Sequence, residues 1–173
     1  KTHWSIRSKG RRSFQKLAQE QLGYDRDHIL TFNINPISYG YKAAEIPQLY
    51  KDLIERLESL PGVHSASLID NGLFDGTDSS SPVTIEGERP KSGGDADVRY
   101  DLVGPNFFLT AGIPILNGRG ILSYDSGHGQ RVGVVNEEFV RYYFGQGSNP
   151  IGKRVHVHTT VGDSDFVIVG VAA

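Results

Sequence analysis

Residues 131–158 read RVGVVNEEFVRYYFGQGSNPIGKRVHVH, and the order of their periodicities decides what kind of fold this chain builds. RVGVVN is short and mostly apolar, the pattern of a buried strand. Asn136 stands where a helix N-cap belongs, because its side chain can accept from the first free amides. Glu137 and Glu138 follow it and suit the positive end of the helix dipole. Phe139, Val140, Tyr143 and Phe144 give that helix its apolar side, and Gly145 closes it. RVHVH (154–158) alternates, which predicts a strand with Val155 and Val157 turned inward. The run is strand, helix, glycine loop, strand.

Within it, Gly147-x-x-x-x-Gly152-Lys153 matches the first seven positions of a phosphate-binding P-loop. A working P-loop follows a buried strand and opens a helix, so that backbone amides and the helix N-terminus cradle the phosphates together. Here a helix comes before the loop and a strand after it. Pro150 removes one amide, and Arg154 stands where Ser or Thr would hold Mg²⁺. The stretch is expected to be a helix-to-strand turn in which Gly145, Gly147 and Gly152 supply positive φ angles and Pro150 fixes a bend.

Upstream, HILTFNIN (28–35) alternates, with Leu30, Phe32 and Ile34 on one side, and predicts a strand with one buried face. Residues 43–60 carry Ile46, Leu49, Leu53, Ile54, Leu57 and Leu60 at helical spacing, with Pro47 in the first turn and Pro61-Gly62 as the stop. VHSASLID (63–70) reads as a second strand, which makes a βαβ unit. Before it, Phe14, Leu17, Ala18 and Leu22 predict a short helix from Ser13 to Gly23. NGLFDGTDSSS (71–81) reads as loop. PVTIEG (82–87) and VRYDLVG (98–104) then read as a strand pair, PNFFLTAG as a helical turn or two closed by Gly112, and DFVIVGVA (165–172) as a last strand. The fold class is α+β: a βαβ half, then a β-rich half.

The bulk numbers exclude more than they identify. The 173 residues suit one domain or two small subdomains, and a net charge of −2 gives no electrostatic case for nucleic acid. There is no Cys, so disulfides and cysteine-based zinc sites are ruled out. No apolar run approaches the roughly 20 residues that span a bilayer. Residues 1–12, KTHWSIRSKGRR, hold Lys1, Arg7, Lys9, Arg11 and Arg12. They read as a solvated tail, a stretch foreign to the natural protein, or a juxtamembrane segment.

Several segments in fixed order carry a family resemblance: RSFQKLAQEQLGYDRDHILTF (12–32), LYKDLIERLESLPGVHSAS (49–67), VGPNFFLTAGIPILNGRGI (103–121), VGVVNEEFVRYYFGQGSNPIGKRV (132–155) and FVIVGV (166–171). Together they resemble the periplasmic core domain of MacB-type and FtsX-like ABC transporter permeases, over about residues 12–172. The resemblance implies a porter-like βαβ lobe over 13–70 and a β-rich, sabre-like lobe over 71–173. It also implies a second porter half after the strand similar to FVIVGV, absent from this sequence, so that a sheet edge is left exposed or is completed by another copy. It further implies a non-catalytic extracytoplasmic domain in the bacterial inner membrane, facing the periplasm. Its expected partners are a cytoplasmic ABC ATPase reached through transmembrane helices, a second permease copy, and a periplasmic adaptor. The alternative is a free-standing soluble module that binds a ligand or metal.

Residue by residue, no catalytic, cofactor or metal site is assigned. His156 and His158 share a strand face and would make a metal pair with His128 or Asp163, but an exposed polar face opposite Val155 and Val157 explains them too. Asp70, Asp75 and Asp78 lie in a Gly/Ser-rich stretch without the EF-hand pattern. Ser79, Ser80 and Ser81 lack a nucleophile elbow. The aromatics Tyr39, Tyr41, Phe74, Tyr142 and Tyr143 read equally as interface anchors or as lids over the core edge.

Overall fold

The computed structural model describes residues 28–71, 79–87, 97–126, 129–159 and 162–173. Its organising element is the strand β7 (Gly162–Ala172), 11 residues long. Along its first half β7 pairs antiparallel with β6 (Arg154–Thr159), from Thr159 opposite Gly162 to Arg154 opposite Val167. Along its second half it pairs parallel with β5 (Val132–Asn136) and antiparallel with β4 (Ile115–Gly118). The strand β2 (Val83–Ile85) adds to the free side of β6 and completes a five-stranded mixed sheet. A separate two-stranded ladder joins β1 (Ser79–Ser81) to β3 (Val98–Tyr100).

Alternation along these strands sorts their side chains. Val83, Ile85, Val155, Val157 and Ile168 turn to one face and meet Val135, Val171, Phe139 and Val140 in a single core cluster. Phe139 and Val140 arrive from the helix α3 (Glu137–Tyr143), whose entry is fixed as the sequence predicts: Asn136 Oδ1 accepts from the Phe139 amide at 2.9 Å. Ile168 and Val155 are 0% exposed, and burial of such a side chain contributes about 1.5–3 kcal/mol. The sheet also tolerates no bulk where chains cross. A β-carbon at Gly170 would collide with the Arg119 carbonyl oxygen, so that position admits only glycine without a backbone shift.

The first half of the chain departs from the βαβ expectation. The helix α1 (Ile46–Glu58) forms, with Pro47 in its first turn and a 3₁₀ turn (Ala43–Glu45) leading in. The segments on either side of it are extended but are not strands of a sheet. Residues 28–35 find no ladder partner among the described residues, and Leu30 and Phe32 are 86% and 54% exposed rather than buried. A single extended segment cannot satisfy its own N–H and C=O groups, so alternation alone does not make a strand.

Residues 63–71 do find a neighbour, though not the expected one. They run antiparallel to 101–105 through one bridge, Ile69 to Val103. The Gly104 amide donates to the Leu68 carbonyl at 2.8 Å and the Asp70 amide to the Leu102 carbonyl at 3.0 Å. Ser67 Oγ donates to the Pro105 carbonyl at 2.7 Å. This seam ties the segment after α1 to the turn before α2 (Phe107–Thr110), which Gly112 closes as expected.

Two further expectations are corrected. Ser79–Ser81 is a strand and not the end of a loop; Ser81 is 6% exposed, and the ladder to Val98–Tyr100 outweighs serine's low strand preference. Residues 83–85 and 98–100 do not pair with each other. The first joins β6 and the second joins β1, because Val83 and Ile85 are buried against Val157 and Val155. The helix expected over 13–23, Phe74, Asp75, Asp78 and His128 lie outside the described residues.

Candidate functional surfaces

The glycine loop is built as a turn. Gly145, Gly147 and Gly152 have φ of 88°, 78° and 86°, and Pro150 is fully buried. Its amides already have acceptors within the protein. Gly152 N donates to the Ile168 carbonyl at 2.8 Å, Lys153 N to the Pro150 carbonyl at 3.1 Å, and Ile151 N to Asn149 Oδ1 at 3.2 Å. A phosphate cradle needs such amides to point at the ligand. Here the Gly152 amide ties the loop to β7 and the Lys153 and Ile151 amides close within the loop, so these three are not free to cradle a phosphate.

The outward face of the β2–β6–β7 region is polar. Thr84 stands opposite His156, His156 opposite Asp165, and His158 opposite Asp163. His156 Nδ1 lies 2.9 Å from Asp165 Oδ1, and His158 Nε2 lies 3.2 Å from Thr84 Oγ1. Arg154, on the same face, has Nε 3.5 Å from Glu86 Oε2. Val155 and Val157 lie on the opposite, buried face, as the alternation predicts. Among the described residues, no three ligand-type side chains already converge on one point.

Asp70 is exposed, with its amide in the seam, and Ser79 Oγ accepts from Asn71 Nδ2 at 3.2 Å. That serine has no histidine beside it in this contact, and nothing in the arrangement resembles an activated nucleophile.

A polar cluster that sequence reasoning missed lies just after β4. Arg119 meets Asp125 through two bonds, Nη1 to Oδ2 at 2.6 Å and Nη2 to Oδ1 at 3.0 Å. The Leu122 amide also donates to Asp125 Oδ2 at 2.9 Å, and the guanidinium sits 5.1 Å from the centre of the Tyr124 ring. The Asp125 side chain is only 6% exposed. The bonds from Arg119 hold its carboxyl below the ordinary aspartate range, against the opposing effect of burial, with the Leu122 amide helping. The same bonds raise the Arg119 pKa. Bidentate geometry with a desolvated carboxylate makes a firm latch across residues 119–125. No motif marks it in the sequence; only the spacing of an Arg and an Asp in a Gly-rich stretch is visible there.

The model of the MacB-like periplasmic core domain matches residues 11–173 of this sequence. The chain belongs to that family. This MacB-like periplasmic core domain also resembles two solved structures more loosely. The periplasmic region of MacB from Actinobacillus actinomycetemcomitans is 18% identical, with a TM-score of 0.48 over 77% of this chain and 56% of the other. The extracellular domain of the noncanonic ABC-type transporter YknZ from Gram-positive bacteria is likewise 18% identical, with a TM-score of 0.48 over 71% of this chain and 56% of the other. The chain thus spans little more than half the length of either. No curated protein matches the sequence.

Three of the five segments that carried the resemblance fall on structural joints of the MacB-like domain. GIPILNGRGI forms β4 and the start of the Arg119 latch, VVNEEF the β5-to-α3 cap, NPIGKR the stitched loop, and FVIVGV the second half of β7. The aromatics of interest divide. Tyr39 is 84% exposed and Tyr41 is 44% exposed. Tyr143 packs with its ring centroid 4.5 Å from that of Phe139 at the core edge, and Tyr142 meets Tyr143 edge-on at 4.8 Å. Among the described residues no helix is long and apolar enough to cross a membrane.

Proposed function

We propose that this chain is the extracytoplasmic domain of an ABC transporter permease subunit in a bacterial inner membrane, and that its work is mechanical. ATP is hydrolysed by a separate cytoplasmic nucleotide-binding subunit or domain. Transmembrane helices carry the resulting conformational change to this domain, which moves against a second permease copy and drives substrate export or acts on a periplasmic partner. In this reading residues 13–70 belong to a porter-like lobe and 71–173 to a sabre-like lobe, and no side chain here performs chemistry. The observation that carries the reading is the family match over residues 11–173. The tightly packed sheet supports it, since a stroke is passed on only by a body with one arrangement.

The test uses the whole permease with its ATPase in liposomes. This chain has no Cys, so single cysteines placed at exposed positions such as Ser123 or Gln130 take spin labels without competition from within it. Distances between labels on the two copies are then measured without nucleotide and with ATP trapped during turnover. A shift of several ångströms is expected. Unchanged distances in a transporter that still hydrolyses ATP would sink the mechanical reading.

A further inference from the structure

Residues 29–35 are extended, alternate like a strand, and have no strand beside them among the described residues. None of their backbone amides or carbonyls meets a hydrogen-bond partner there. Leu30, Phe32 and Ile34, at alternate positions, are 86%, 54% and 41% exposed. Extended backbone with a bare edge is a template for another strand. We propose that this edge is taken by the same segment of a second copy of the chain, antiparallel about a two-fold axis at Phe32. Two copies then form a weak, closed, symmetric dimer.

What selects a second copy is that the segment complements itself. With the axis at Phe32, that ring stands opposite its own copy, and Leu30 stands opposite the second copy's Ile34. Thr31 then faces Asn33, and Ile29 faces Asn35. The apolar side of one strand continues the apolar side of the other, and the aromatic pair falls at the centre. A slip of one residue would set Leu30 opposite Asn33 and Thr31 opposite Phe32, and so throw the two apolar sides onto opposite faces. No residue from Ile29 to Tyr41 carries a charge at neutral pH, so two copies meet without like-charge repulsion. Pro36 is buried and has no amide, so it ends the ladder, and the pairing closes at two copies. Seven residues paired in this way supply about six to eight backbone hydrogen bonds. A single strand covers less than the about 800 Å² per partner of a standard interface, which sets a dissociation constant above about 1 μM.

The pairing does not rest on the mechanical reading: it concerns the chain in solution, and spin labels that fail to move with ATP leave it standing. The experiment is sedimentation velocity of the untagged 173-residue chain, from about 1 μM to about 1 mM. Monomer should give way to dimer and to nothing larger. Phe32→Lys sets two ammonium groups face to face at the axis and should keep the chain monomeric throughout, with an unchanged circular dichroism spectrum. Below its dissociation constant the chain is monomeric, so unfolding measured there does not sense the pairing. A cysteine pair reads the register and decides the matter even if the lysine variant is poorly folded. The chain has no Cys of its own. Phe32→Cys brings two α-carbons to about 4.5–5.5 Å, within disulfide reach, whereas Asn33→Cys leaves them about 8 Å apart. Mild oxidation should link the first at least tenfold faster than the second. A chain still monomeric at the highest concentration would overturn the proposal and leave the edge to a partner of another sequence. A dimer untouched by Phe32→Lys, or equal cross-linking at the two positions, would overturn it as well.

Discussion

Residues 28–35 and residues 154–158 carry the same kind of alternating apolar pattern, yet they end in opposite surroundings. Val155 and Ile168 are 0% exposed, while Leu30 is 86% exposed. The difference lies in what stands beside them. β6 and β7 each have a hydrogen-bonded strand on both sides for part of their length, and α3 covers their apolar face. The 28–35 segment has neither among the described residues. A pattern states which face wants burial, and only a partner of the right shape grants it.

Six substitutions break or sharpen that contrast. Ile168→Ala should have the largest effect, about 2–5 kcal/mol lost, because a fully enclosed side chain leaves a cavity that its neighbours cannot close. Urea unfolding of the chain should show this as a lower midpoint at an unchanged slope; a loss below about 1 kcal/mol would mean that the sheet's centre is not packed as described.

Next comes the latch. Arg119→Gln leaves Asp125 desolvated without its fork, and about 1–3 kcal/mol should be lost. The sign of the pH dependence follows from the lowered carboxyl. A carboxylate whose folded pKa is depressed stabilises fully above its unfolded value of about 3.9, and this contribution fades as pH falls toward the folded value. Melting curves from pH 6 to pH 2 should therefore show an acid limb in the parent chain that Asp125→Asn lacks. Identical limbs would remove the latch from the account.

Asn136→Ala strips the α3 cap and should cost about 1 kcal/mol, read from the same unfolding curves. Asn136→Asp, which keeps an acceptor, should recover most of it. The smallest effect belongs to the other region: Leu30→Ser should change stability by no more than about 0.5 kcal/mol. If it costs as much as the Asn136 substitution, residues 28–35 are buried in the folded chain and the contrast fails.

How much of this was legible beforehand follows the distance in sequence between partners. The β5-to-α3 cap, the glycine turn, β6 and the Val155/Val157 face were all readable, because each depends on residues within a few positions of one another. Non-local pairing was not. Ser79–Ser81 has the composition of a turn and becomes a strand only because Val98–Tyr100 lies alongside it. Val83 and Ile85 are strand-like, but nothing local says that their partner is β6, some seventy residues on, and not the strand that comes next. The Arg119–Asp125 latch was invisible for a different reason: its value comes from the desolvation of Asp125, and burial of a charged residue leaves no periodic trace in sequence. The family resemblance was readable because its segments are continuous in sequence, and one of them holds Gly170, where the Arg119 carbonyl leaves no room for a side chain.

The arrangement of β7 has a mechanical consequence. One strand of 11 residues shares ladders with β4, β5 and β6. A pull along its axis loads the hydrogen bonds of all three ladders at once, in shear, so that none yields until many do. A pull across its axis would open the same bonds one after another, like a zip. The sheet is therefore stiff in one direction and weak in another, and a force that this domain survives must enter it lengthwise along β7.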